Sequence, residues 1–121
     1  MPQPNRFQTL VADAKQRITE VTPADAQAQL AHGDAILFDV REESDWRAAH
    51  AVGALHLSRG IIELEIEDVE PDLHQPIICY CGGGSRSALV ADSLQKMGYT
   101  NVHSIAGGLR AWQEAGLPVA G

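Results

Sequence analysis

Long apolar runs, clustered basic residues and cysteine are what this sequence has little of. No apolar stretch approaches the ~20 residues that a membrane-spanning helix needs, so no membrane is expected as a partner. Lysine and arginine number 9 against 16 aspartates and glutamates, a net charge of −7. Without a basic cluster to neutralise phosphates, the composition argues against a nucleic-acid binder, and against attraction to an anionic membrane surface. Cysteine occurs twice, as Cys79 and Cys81. Placed one residue apart, these two make a poor disulfide framework, which points to a reducing, cytoplasmic setting. No further cysteine, and no histidine at close ligand spacing, completes a zinc set, so no metal is expected. The glycine triplet Gly82-Gly83-Gly84 lacks the lysine of a phosphate-binding loop and the spacing of a dinucleotide fold, so no cofactor is expected. Residues 1–6 lack the charged-then-apolar build of a signal peptide.

What is present fits one domain of alternating strands and helices. A chain of 121 residues can bury roughly two-thirds of its unfolded surface without staples. Asn5 is positioned to cap a first helix to about Arg17, with Phe7, Leu10, Val11 and Ala14 on one face. Ile18–Val21 reads as a short strand. Thr22-Pro23-Ala24-Asp25 opens a helix that Gly33 closes. Ala35–Val40 is a continuous apolar run, the pattern of a strand buried on both faces. Ser44 is expected to cap a short helix to about Ala49, and Ala54–Leu57 reads as a strand. One or two helical turns follow over Ile61–Ile66. The acids Glu63, Glu65, Glu67, Asp68, Glu70 and Asp72 form a solvated face or loop there. Pro76 opens a strand through Cys81, and Ser85–Met97 is the clearest helix. Val102–Ile105 and Gly108–Glu114 complete the order, which implies an open parallel sheet flanked by helices.

The informative stretch is Ile77-Ile78-Cys79-Tyr80-Cys81-Gly82-Gly83-Gly84-Ser85-Arg86-Ser87. A buried strand ends in a thiol, then a glycine-rich loop opens a helix. Backbone N–H groups and the helix N-terminus favour negative charge at the centre of such a loop, so Cys81 reads as a thiolate facing an anion site. Arg86 adds a forked cation. Asp39 and Arg41 end the strand Ala35–Val40 and are expected at the same rim. Cys79 reads as a buried small hydrophobe, with a redox or metal pair with Cys81 as the alternative. His50 is expected as a packed turn residue, and Trp46 and Trp112 as packing aromatics.

Taken in order, Asp39-Val40-Arg41-Glu42, His50-Ala51-Val52-Gly53-Ala54, Ser58-Arg59-Gly60, Tyr80–Ser87 and Gly107-Gly108-Leu109-Arg110-Ala111-Trp112 resemble a single-domain rhodanese, a sulfurtransferase family. The resemblance spans about residues 18–116 and divides the chain into an N-terminal helical extension, 1–17, and a rhodanese-like domain, 18–121. It implies a five-stranded parallel α/β sheet and a catalytic cysteine opening a six-residue loop, here Cys81 to Arg86. Carried over by position, Cys81 is the sulfur carrier, while Gly82, Gly83, Gly84, Ser85 and Arg86 cradle the substrate. Arg59 matches a basic position near the entrance, and Asp39 and Arg41 resemble residues that brace the loop. His50-Ala51-Val52 departs from the family's frequent His-Ile-Pro.

The activity so implied moves sulfane sulfur from thiosulfate or a persulfide to cyanide or a thiol, by a ping-pong route through a Cys81 persulfide. Partners would be small donors and acceptors such as thiosulfate, cyanide, glutathione persulfide and other thiols, or a sulfur-relay protein. A non-catalytic binding or regulatory domain is the alternative. Phosphatase or arsenate reductase chemistry fits less well. Cysteine phosphatases place five residues between cysteine and arginine, and here four stand between Cys81 and Arg86.

Overall fold

The structure is a computed structural model that describes residues 5–121. The first four residues of the expected N-terminal extension lie outside the described residues. Along the chain come α1 (Arg6–Lys15), β1 (Thr19–Val21), α2 (Pro23–Ala31), β2 (Ile36–Asp39), α3 (Glu43–Ala48), β3 (His50–Ala51) and β4 (Leu55–His56). Then follow α4 (Ile62–Val69), β5 (Ile77–Tyr80), α5 (Ser85–Lys96), β6 (Val102–Ile105), α6 (Gly108–Glu114) and β7 (Val119–Ala120). Five strands form one parallel sheet in the order β1-β6-β5-β2-β4. All four residues of the central strand β5 are buried, as the apolar run Ile77–Tyr80 requires of a strand covered on both faces.

Period-two alternation divides the side chains between two cores. Phe38, Val40, Ile77, Cys79 and Cys81 point to the face that also holds Ile62 and Ile66 of α4 and Leu94 of α5. Leu37, Ile78 and Tyr80 point to the other, with Ala26 of α2 and Trp112 of α6. The register sets Asp39 beside Tyr80 and Phe38 beside Cys79.

Local signals placed most of the caps. Asn5 and Gln8 exchange hydrogen bonds at 2.7 and 2.9 Å, a reciprocal capping box. Thr22 accepts from the Asp25 amide at 3.1 Å. Two expectations need correction. Ser44 is not a cap: α3 begins at Glu43, and the preceding Glu42 makes no side-chain cap bond. The buried face of α1 is narrower than its apolar pattern: Val11 and Ala14 pack inward, while Phe7 and Leu10 stay 43% and 52% exposed. The small antiparallel pair of β3 and β7 was not expected, because two residues per strand carry no readable pattern. The acidic run lies on α4 and the loop after it. Ile62 and Ile66 turn inward, and the carboxylates of that helix stay in solvent.

The start of α6 buttresses the end of β5. The Leu109 amide donates to the Cys81 carbonyl at 2.8 Å and the Arg110 amide to the Gly82 carbonyl at 3.2 Å. This approach requires glycine at Gly108. Its φ is +58°, and a Cβ there would strike the Cys81 carbonyl oxygen and come within 2.8 Å of the Gly82 carbonyl group. Gly108→Ala is therefore expected to destabilise the fold by about 1–3 kcal/mol. Thermal melting should show a clear drop relative to Gly116→Ala, where φ is also positive but the space is open.

Candidate active site

Cys81 follows β5 directly, and its side chain is held in a ring of donors. The Gly84 amide approaches Sγ at 3.1 Å, the Ser87 amide at 3.4 Å, and the Ser87 hydroxyl at 3.5 Å. Ser87 is in turn 2.8 Å from the hydroxyl of Ser104 on β6, and both serines are fully buried. A thiolate can only accept, so the Ser87 hydroxyl donates to sulfur and the Ser104 hydroxyl donates to Ser87. The sulfur also lies at the N-terminus of the 12-residue helix α5, whose dipole favours an anion.

Burial of Cys81, 1% exposed, pushes its pKa up. The Ser87 hydroxyl and amide, with the Gly83 and Gly84 amides, outweigh that and hold the thiol below its ordinary value. Cys79, two residues earlier, has no such ring. Full burial, with a smaller contribution from nearby Cys81, pushes it up to about 12, as a packed hydrophobe would be. The two thiols do not form a disulfide.

The loop glycines are not equivalent. Gly84, at φ +97°, needs to be glycine: a Cβ would come 3.1 Å from the Gly107 nitrogen. Gly83 would meet nothing, and Gly82 only the tip of Arg86, at 3.9 Å. Their lack of side chains leaves the mouth of the loop uncluttered. Ser85, half-buried, starts α5. Arg86 extends over Gly82 and, with Arg59, lines an open cleft of about 620 Å³. The Arg59 backbone is pinned there by donating to the Val40 carbonyl at 3.0 Å. Neither guanidinium has an ion-pair partner among the described residues.

Asp39 and Arg41 stand elsewhere. Their carboxylate and guanidinium pair with each other at 2.7 Å, nearly sealed from water. Tyr80 donates its hydroxyl to Asp39 at 2.7 Å, and Arg41 donates to the Ala49 carbonyl. No hydrogen bond runs from either residue to Gly82–Arg86 among the described residues. The direct contact with the loop expected of them is not made among the described residues; they bond instead to Tyr80, the residue before Cys81. The physical reason is alternation: Asp39 shares a face with Tyr80, and Cys81 faces the other way. The residues that do touch the loop backbone, Leu109 and Arg110, were read only as part of a motif. The double glycine Gly107-Gly108 before them was the available signal.

His50 donates Nδ1–H to the Trp46 carbonyl and stacks on the Trp46 ring at 3.5 Å. It makes no hydrogen bond to Cys81. Trp112 is core, whereas Trp46 is half-buried between His50 and His56.

Fold and site together define a class, an open parallel α/β protein whose thiolate ends the central strand. The model of the rhodanese-like domain matches residues 22–115, and the chain belongs to that family. It is 38% identical over 101 residues to the thiosulfate sulfurtransferase GlpE of Actinobacillus succinogenes, covering 84% of this chain and 89% of that protein. A protein of unknown function from Rhodopseudomonas palustris CGA009, described as a possible tyrosine phosphatase, superposes with a TM-score of 0.86 at 31% identity over 99% of both chains. The polysulfide-sulfur transferase homodimer of Wolinella succinogenes does so with a TM-score of 0.82 at 28% identity, over 94% of this chain and 86% of that one.

Two outcomes follow from the donor ring. At neutral pH a small alkylating agent should modify Cys81 and leave Cys79 untouched, as peptide mass mapping would read. Ser87→Ala removes a hydrogen bond to a charged acceptor, and should raise the Cys81 pKa. The acid limb of the alkylation rate against pH should move up accordingly. Ser104→Ala, acting only through Ser87, should move it less.

Proposed function

We propose that this protein is a sulfurtransferase carrying sulfane sulfur on Cys81. The observation that carries the reading is the set of inward N–H and O–H donors around a single sulfur. With thiosulfate as donor, the Cys81 thiolate attacks the outer sulfur. A Cys–S bond to that sulfur forms, the bond to the sulfonyl sulfur breaks, and sulfite leaves with the electron pair. Cys81 is left as a persulfide anion, and the cradle from Gly82 to Arg86 stabilises its charge. In the second half-reaction cyanide or a thiolate attacks the terminal sulfur, and the Cys81 thiolate departs. Arg86 and Arg59 draw the anionic donor to a protein whose net charge would otherwise repel it. Residues 18–121 form the catalytic unit, in a reducing, cytoplasmic setting suited to an unpaired thiolate.

A phosphatase reading is suggested by the description of the Rhodopseudomonas palustris protein. The spacing disfavours it: four residues between Cys81 and Arg86 make a ring too small for a tetrahedral phosphoryl group. A purely binding role leaves the activated thiol without a purpose.

Incubation with thiosulfate should add one sulfur atom to the intact mass, and cyanide should then release thiocyanate. Cys81→Ser should abolish both, and Cys79→Ser neither. Turnover persisting in Cys81→Ser would defeat the assignment.

A further inference from the structure

Ser104 stands where the pattern of β6 calls for an apolar residue. Along Val102-His103-Ser104-Ile105, alternation turns Ser104 to the same face as Val102. The register sets it beside Cys79 of β5, on the face that also carries Cys81. It is 0% exposed, so it touches neither a sulfur donor nor an acceptor. A hydroxyl buried in an apolar core costs free energy unless it is bonded. Among the described residues its side-chain bond is to the Ser87 hydroxyl, 2.8 Å away. Cys79, pushed up to about 12, stays a neutral thiol and offers Ser104 no charge. The hydroxyl thus serves Ser87, and Ser87 meets the Cys81 sulfur at 3.5 Å.

We propose that Ser104 is a positioning residue for the discharge of sulfur: by donating to Ser87 it aims that hydroxyl at the Cys81 sulfur and makes Cys81 a better leaving group. This rests on the sulfurtransferase reading and adds to it a residue outside the cysteine loop. The charge on Sγ changes through the cycle. In the persulfide, Sγ is a divalent, neutral sulfur and a weak acceptor, and the negative charge sits on the outer sulfur. When cyanide attacks that outer sulfur, a C–S bond forms and the Sγ–S bond breaks. Its electron pair returns to Sγ, thiocyanate leaves, and no proton moves. The bond from Ser87 therefore strengthens on the way to the transition state, which is the condition for acceleration. In the charging step the thiolate's lone pair forms the new S–S bond, and the same hydroxyl bond weakens. Ser104 fixes the direction of the chain. With its hydrogen committed to the Ser87 oxygen, it leaves the Ser87 hydrogen for sulfur and polarises that O–H bond.

Rapid mixing separates the two half-reactions. Sulfite release with excess thiosulfate reads charging, and thiocyanate formation from the isolated persulfide and cyanide reads discharge, both at a pH where Cys81 is fully ionised. Ser104→Ala should slow thiocyanate formation about three- to tenfold, the effect of losing one hydrogen bond, and leave sulfite release unchanged or faster. Ser104→Thr keeps a hydroxyl, and Ser104→Val has the shape of threonine without one. Threonine should retain fast discharge, and valine should not. Discharge at the wild-type rate in Ser104→Ala, an equal fall in both half-reactions, or equal rates for threonine and valine overturns the proposal. Should the wild-type protein take up no sulfur from thiosulfate, the sulfurtransferase reading falls instead. The rate of Cys81 alkylation against pH then still judges the hydroxyl. Its acid limb should lie at higher pH in Ser104→Val than in Ser104→Thr, and coincident limbs overturn the link from Ser104 to the sulfur.

Discussion

The hydrogen-bond donors that converge on the buried Cys81 sulfur are the constraint around which the neighbouring loop and helices are built. Moving a thiolate out of water is expensive unless its charge is met by hydrogen bonds. Here the Gly84 and Ser87 amides and the Ser87 hydroxyl meet it, and the start of α5 adds its dipole. The amides are fixed by the chain path and cost no side-chain entropy when sulfur ionises. A thiol whose folded pKa lies below its unfolded value stabilises the fold above the ordinary thiol pKa, and that contribution fades as pH falls through the folded value.

The ring depends on packing behind it. The loop turns sharply because Gly84 takes a left-handed conformation, and it stays there because α6 docks its first amides on the Cys81 and Gly82 carbonyls. On the opposite face the Asp39–Arg41 pair, joined by Tyr80, fastens the ends of β2 and β5. A buried charged pair of this kind adds little net stability, but removing one partner leaves the other stranded. Its effect on the site is to hold the residue before Cys81, not the sulfur.

Much of the fold was legible because its elements carry strong local signals. The continuous apolar runs of β2 and β5 announced strands covered on both faces. The Thr22-Pro23 start and the Asn5 cap announced helices, and the strand-loop-helix order around Cys81 announced an anion-favouring loop. Other parts were not legible. The β3 and β7 pair is too short to leave a period. The cap expected at Ser44 failed because a serine near a helix start is compatible with several registers. Within the glycine triplet only Gly84 takes a left-handed conformation, and sequence cannot separate a glycine needed for φ from one needed for open space.

The sequence by itself determined the class of fold, the position of the reactive thiol at a strand end and the donors that follow it, because these rest on neighbouring residues and on hydrophobic periodicity. Tertiary structure alone decided which face each strand residue serves. It put Asp39 and Arg41 across the sheet from the sulfur, brought Ser104 behind Ser87, and set Gly108 against the loop. It also laid Leu10 beside a groove on α5 that begins at Arg86. Those relations join residues far apart in the chain, and only strand order and register, fixed by the packing of two cores, bring them within contact distance.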